Sequence, residues 1–263
     1  EREGVDVYAF DKHPNNVFGF KNYHSLDITE RDSFKLFPGN VDQIYFFSGL
    51  TGTHAGFVSY KLFLDTNELG LLNLLDYLRS SDLQPRVVFP SSRLIYRGSS
   101  QPLKEDDGKE AKTVYAANKI AAEFLLQAYG NAFNIPFTIF RICVPYGNML
   151  DNSYPFGTTG LFLRMVKEKG EITLFGDGSL RRTFTHISDL SSQMLGVCLP
   201  GEGINETFNT AGEDLSLLEV ARMIADRFNV PVRHLDWPEQ DLRLESGDTC
   251  FDSGKLQRII PDP

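Results

Sequence analysis

The chain has 263 residues, 41% of them hydrophobic and 23% charged, with a formal net charge of −9 and a pI near 5.1. That length suits one large α/β domain or a nucleotide-binding core with a smaller lobe, and the acidic balance argues against a general nucleic-acid surface. No apolar run approaches the ~18 residues of a membrane span, and Cys143, Cys198 and Cys250 lack metal-site or disulfide spacing, which suits reduced thiols in the cytoplasm.

In chain order, VDVYAF at 5–10 reads as a strand closed by Asp11, followed by a short helix near 29–36. IYFFSG at 44–49 is a second apolar strand, then comes a long helix near 56–79 and the strand RVVFPS at 86–91. A helix around 113–130 leads to the strand-like PFTIFRI at 136–142. This alternation predicts a parallel sheet with helices on both faces. From about Pro145 the pattern is mixed: a helix near 158–168, a strand ITLF, the turn GDGS, and a helix LLEVARMIADRF with Ser216 as its N-cap. The expected fold is α/β, a Rossmann-type doubly wound parallel sheet with a smaller C-terminal α/β substrate lobe. The core spans residues 1–147, with parts of 183–212 returning to it, and the lobe mainly 148–263.

The most informative local feature is VYAANKIAAEFL, where Tyr115 and Lys119 lie one helical turn apart and share a face. A nearby ammonium favours phenolate, so Tyr115 is expected to have a lowered pKa and to transfer protons near neutral pH. Ser92, directly after the strand-like run RVVFPS, can hydrogen-bond the same reacting oxygen. Tyr8 and Lys12 have the same spacing, but in a strand four residues at ~3.3 Å rise hold the side chains roughly 13 Å apart. Only the helical pair reads as an acid/base site for oxidising or reducing an alcohol carbon.

A dinucleotide-binding fold normally opens with a strand, a Gly-rich turn and a helix N-terminus that holds the pyrophosphate. Here VDVYAFD already looks like the second strand of such a fold, and Asp11 stands where an acid binds the adenosine ribose. We therefore expect the first βα unit, roughly 25 residues with a GxxGxxG-like turn, upstream of Glu1.

With these residues placed, the chain resembles the extended short-chain dehydrogenase/reductases, in particular the NAD-dependent epimerase/dehydratase group that acts on nucleotide sugars. The resemblance rests on Asp11, on Asp27-Ile28 in SLDITERD, on FFSG at 46–49, on Asn67, and on SSRLIY, YAANK, RICVPYG, LFGDGSLRRTFTHISDL and FNTAGE. It implies NAD as cofactor, with Asp11 at the ribose, Asp27 and Ile28 at the adenine, and Ser48 and Gly49 nearby. Lys119, beside Tyr115, would also hold the nicotinamide ribose. A nucleotide-diphosphate sugar would meet Ser92, Arg182, Asn209 and Arg243, with Arg182 on the diphosphate. Asn67 matches a structural Asn, and Val144 replaces the Asn usual in the family.

Ser91 and His186 read as structural or capping residues, and Tyr146 as pocket wall. Of the adjacent Arg181 and Arg182, at most one can face a pocket. Sugar-nucleotide dehydratases that resemble this chain carry Asp-Glu after the catalytic Ser or Thr. Arg93 and Leu94 replace them here and cannot exchange protons at working pH, so a 4,6-dehydratase is disfavoured. The helices near 56–79 and 113–130 are apolar on more than one face, and relatives dimerise through these two helices, which implies a homodimer. The expected activity is nucleotide-sugar epimerisation, most simply at C4 through a transient ketosugar, with Tyr115 as acid/base, Ser92 and Lys119 assisting, and no metal. The alternatives are an NAD(P)H-dependent nucleotide-ketosugar reductase and a non-enzymatic cofactor-sensing protein on the same fold.

Overall fold

A computed structural model describes residues 4–81, 83–148 and 157–261. Strands β1 (Tyr8–Asp11) and β2 (Asn22–Ser25) pair in parallel, and a 3-10 helix at Arg31–Leu36 precedes β3 (Gln43–Tyr45). Helices α1 (Ala55–Val58), α2 (Tyr60–Leu64) and α3 (Gly70–Arg79) lead into β4 (Arg86–Ser92), α4 (Val114–Phe133), β5 (Phe137–Ile142) and β6 (Val144–Tyr146). Next come α5 (Gly157–Lys169), β7 (Ile172–Phe175), β8 (Arg181–His186), α6 (Ile187–Cys198), β9 (Glu206–Asn209) and β10 (Glu213–Ser216). The chain then forms α7 (Leu217–Phe228), β11 (Val232–Leu235), α8 (Glu239–Leu244) and α9 (Gly254–Gln257).

The central ladder is parallel throughout, in the order β3-β4-β5-β9. Because strand side chains alternate, Val87 and Phe89 of β4 and Ile139 of β5 enter one core with Leu71, Leu74, Leu75 and Leu78 of α3 and Leu126 of α4. Val88 and Phe140 point the other way, onto Leu190, Met194 and Val197 of α6 and Phe208 of β9. A sheet buried on both faces explains the unbroken apolar runs that mark these strands. Among the described residues, β1–β2 and the four-stranded ladder are separate sheets. The C-terminal part holds a three-stranded sheet, β10-β8-β6, and a parallel pair, β11-β7. A third core, including Phe162, Ile172, Leu174, Val220 and Ala221, joins them to α5 and α7.

The short helix expected near 29–36 is present as a 3-10 helix. Two local expectations are corrected. Of IYFFSG only Ile44 and Tyr45 lie in the strand, with Phe46 N still donating to Val88 O at 2.9 Å before the backbone leaves the sheet. The long helix of 56–79 breaks at Ser59 (φ −120°, ψ 40°) and runs through a π-helical turn at Asp65–Leu69. That turn directs Asn67 inward, where its Oδ1 accepts from Leu50 N at 2.7 Å and its Nδ2 donates to Leu50 O at 3.0 Å. Asn67 thus clamps the loop after β3, the structural role expected of it.

Candidate active site

Parallel strands bring their C-terminal ends to one edge of a sheet, and ligands of open α/β sheets bind there. On the β3-β4-β5-β9 ladder that edge carries Ser92, the last residue of β4. Its Oγ accepts from Leu94 N at 3.2 Å and so caps a 3-10 turn, Arg93–Ile95. Opposite it, α4 starts at a Thr113 cap whose Oγ1 accepts from Ala116 N at 3.0 Å. Tyr115 sits on the first turn of α4 and Lys119 on the next. The Tyr115 phenol is 9% exposed and is influenced by the Ser92 side chain through hydrogen bonding.

Lys119 hydrogen-bonds a backbone carbonyl. Its Nζ donates to Pro90 O at 2.6 Å and lies 4.3 Å from the Phe89 ring centroid and 5.9 Å from that of Tyr115. Burial pulls Lys119 down to about 8, with Glu123 opposing. Burial likewise pushes the Tyr115 phenol up; the Ser92 hydrogen bond and the charge of Arg93 only partly offset this. The expectation of a lowered Tyr115 pKa is therefore corrected. Desolvation dominates, and the cation that bears on the phenol is Arg93.

Beneath the pair is a buried polar network. The Arg141 guanidinium meets Glu123 through two bonds, Nε to Oε1 at 3.0 Å and Nη2 to Oε2 at 2.7 Å, with both side chains no more than 2% exposed. Ser91 Oγ donates to Glu123 Oε1 at 2.6 Å, and Arg141 Nη1 reaches Tyr96 OH at 2.6 Å. Ser91 is thus structural, as its sequence suggested. Glu123 neutralises Arg141, as a buried guanidinium requires, and ties α4 to β4 and β5 directly below Ser92 and Lys119.

On the substrate side, β8 turns Arg182 inward and Arg181 outward, as alternation demands. Arg182 is 3% exposed and its Nη2 pairs with Glu245 Oε2 at 2.9 Å, whereas Arg181 bonds Glu219 at 3.2 Å on the surface. Two expected substrate residues are not brought to this cluster. Arg243, on α8, is 75% exposed and paired with Glu239 on its own helix. Asn209 is fully buried; its Oδ1 accepts from Tyr96 OH at 2.6 Å and its Nδ2 donates to Leu103 O at 2.7 Å, so its amide is spent in the core. Neither arrangement is visible in the sequence. Sequence position does not reveal a partner more than a hundred residues away, or which side of a short helix faces water. Arg93, Glu245 and Thr249 were not read as site residues, although the position of Arg93 directly after Ser92 was visible. His186 caps α6, its ring nitrogen accepting from Ser188 N at 3.3 Å.

On the cofactor side, Asp11 ends β1 exposed, with Oδ1 taking the His13 amide proton at 2.8 Å. Asp27 is exposed and held below the usual carboxylate range by the Thr29 amide and hydroxyl. Ile28 is buried in the core, so only its backbone remains for a ligand. Ser48 and Gly49 are exposed after β3, and a Cβ on Gly49 would come within 3.2 Å of Asn67 Oδ1. An acid at one strand end and small residues on a clamped loop at another fit a dinucleotide. Among the described residues no group of acids, His or Cys could hold a metal ion, and no helix is long and apolar enough to cross a membrane.

The sequence profile of the NAD dependent epimerase/dehydratase family matches residues 1–210. A UDP-glucuronate 4-epimerase of Thermodesulfobacterium geofontis is 27% identical over 176 residues, 64% of this chain and 52% of that protein. A dTDP-L-rhamnose 4-epimerase of Burkholderia thailandensis is 34% identical over 122 residues, 45% of this chain and 33% of that one. The chain thus spans about half or less of the length of these two relatives. Among solved structures, the UDP-glucose 4-epimerase of Thermotoga maritima superposes with a TM-score of 0.83 at 18% identity, covering 98% of this chain and 85% of that one, which supports the fold. With the Ser92, Tyr115 and Lys119 site at the sheet edge and the profile covering most of its length, this chain belongs to the NAD-dependent epimerase/dehydratase family.

Proposed function

We propose that the protein is an NAD-dependent nucleotide-sugar epimerase that inverts a hydroxyl-bearing carbon, most simply C4, through a transient ketosugar. The observation that carries this reading is the placement of Ser92 and Tyr115 together at the end of β4, with Arg93 and Arg182 beyond them and no carboxylate pair following Ser92. A dehydratase needs such a pair to move protons; an epimerase does not. The 4-epimerase names of the two relatives above are in keeping with it.

NAD, held at Asp11, Asp27 and Lys119, would supply the hydride acceptor and donor for the carbon that inverts. Residues of the chain handle the proton and the orientation. Ser92 hydrogen-bonds the reacting oxygen. Tyr115, as phenolate, accepts the hydroxyl proton and later returns it to the inverted alcohol. Because burial favours the neutral phenol, forming the phenolate needs positive charge close by, and Arg93 with protonated Lys119 supplies it. Arg182 anchors the diphosphate by charge-assisted hydrogen bonds. Arg243 serves this anchor only if α8 turns it from Glu239.

We further propose a cytoplasmic homodimer. Val58, Tyr60, Leu62 and Phe124 are 52–84% exposed on α1, α2 and α4, a cluster of large apolar residues of the kind that self-association covers. The three cysteines are free thiols, in keeping with a reducing compartment. The function is tested by denaturing the purified protein and assaying released nicotinamide. About one equivalent of NAD per subunit is expected, because the hydride must stay on the enzyme between half-reactions. Little held cofactor, with reduced cofactor exchanging each turnover, would favour a ketosugar reductase instead.

A further inference from the structure

Arg93 is the residue of this site that the mechanism leaves underused. It follows Ser92 on the 3-10 turn after β4, and its guanidinium is only partly accessible to solvent. Among the described residues its hydrogen bond is a long one, Nη1 to Thr249 Oγ1 at 3.4 Å, and no carboxylate lies within ion-pair distance. Arg182 shares that same hydroxyl at 3.5 Å but has Glu245 at 2.9 Å. The charged groups that bear on Arg93 are Arg182, which opposes it, and Glu245, with the Cys143 thiol and the Tyr115 phenol as titratable neighbours. Among the described residues, two guanidinium charges therefore stand here against one carboxylate. Burial has already pulled Arg93 down to about 10, the mark of a cation short of solvent and counter-ion. A cation in such a place gains most from an anion that arrives with the ligand.

Position decides which anion. Arg93 directly follows Ser92, on the 3-10 turn that the Ser92 hydroxyl caps, whereas Arg182 lies on β8, tied to Glu245. Arg93 therefore stands beside the hydroxyl that meets the reacting oxygen. We propose that Arg93 is a specificity-determining residue that pairs with a carboxylate carried on the sugar ring, so that the substrate is a nucleoside-diphosphate hexuronate. This deepens the epimerase reading and rests on it. The pairing is non-covalent: two guanidinium N–H groups donate to the two carboxylate oxygens.

The test uses calorimetric titration of the NAD-saturated protein with UDP, UDP-glucose and UDP-glucuronate, and with dTDP as a check on the base. The wild type is expected to bind UDP-glucuronate roughly 10-fold or more tighter than UDP-glucose. Arg93→Gln is expected to erase that preference while UDP alone binds within about twofold of wild type. Arg93→Lys, which keeps the charge but not the two-pronged fit, retains part of the preference and carries the test if the Gln variant does not fold. Loss of affinity for all three uridine ligands in equal measure would place Arg93 on the diphosphate and overturn the proposal. Equal binding of UDP-glucose and UDP-glucuronate by the wild type would overturn it too, with the epimerase reading intact. Failure of both UDP and dTDP to bind would instead remove the nucleotide-sugar reading beneath it.

Discussion

At the residue scale, the candidate acid/base pair was legible because its geometry is local. Tyr115 and Lys119 needed only a helix between them, and the structure supplies it. What sequence could not show is that the Lys119 ammonium turns back to Pro90 O and leaves the phenol to burial, Ser92 and Arg93. Tyr115→Phe is expected to lower kcat by about 10²–10⁴-fold, the usual worth of a positioned acid/base. Nucleotide-sugar affinity should stay within a fewfold; steady-state rates and titration check the two separately. Lys119 has a second consequence. Its folded value of about 8 lies below the 10.5 of a free lysine, so between these limits the unfolded chain holds a proton that the folded one has released. Stability from this group therefore rises with pH across about 8 to 10.5, and at neutral pH the buried charge is a cost. Lys119→Met should raise the melting temperature at pH 7, with a gain of at most about 3 kcal/mol, and remove activity. The stability advantage should shrink between pH 8 and pH 10 in parallel melts, and an advantage that is flat with pH would contradict the assignment.

At the element scale, strands β4 and β5 and helices α4, α5 and α7 follow the hydrophobic pattern read from the sequence, because each packs a face whose periodicity is local. Helix α7 starts where Ser216 predicts, with a full capping box: Glu219 N donates to Ser216 Oγ at 3.1 Å and Ser216 N to Glu219 Oε2 at 2.7 Å. Ser216→Ala should cost about 1 kcal/mol in chemical denaturation, with the site unaffected. The break at Ser59 and the π turn at Asp65–Leu69 were not legible, since both serve a tertiary contact, the Asn67 clamp on Leu50. Nor was the Glu123–Arg141 pair, whose partners are adjacent only once α4 lies on β5. Glu123→Gln would leave Arg141 charged in the core and should cost about 3–5 kcal/mol. An unfolding midpoint close to wild type would show that the network matters less than its burial implies. Asn209 belongs with it: the residue that sequence places at the substrate is a link from Tyr96 to the loop at Leu103.

At the scale of the whole molecule, the α/β class and the parallel sheet were legible from alternation alone, whereas strand order was not, because pairing is decided between segments far apart in the chain. The ladder β3-β4-β5-β9 sets Ser92 on a sheet edge, and the three-stranded sheet brings Arg182 to Thr249, whose hydroxyl Arg93 also reaches. The exposed apolar residues of α1, α2 and α4 predict that light scattering gives twice the mass of the chain at micromolar concentration; a monomer would count against the dimer. The account as a whole turns on one claim, that hydride leaves and returns to the same sugar carbon within one active site. The direct measurement is to incubate the enzyme with a panel of UDP- and dTDP-hexoses and hexuronates in D₂O, without added reduced cofactor, and to follow products by NMR. The account predicts a 4-epimer of one substrate that carries protium at the inverted carbon, with no net formation of reduced nicotinamide. Deuterium at that carbon, or turnover only when reduced cofactor is supplied and consumed, would contradict it.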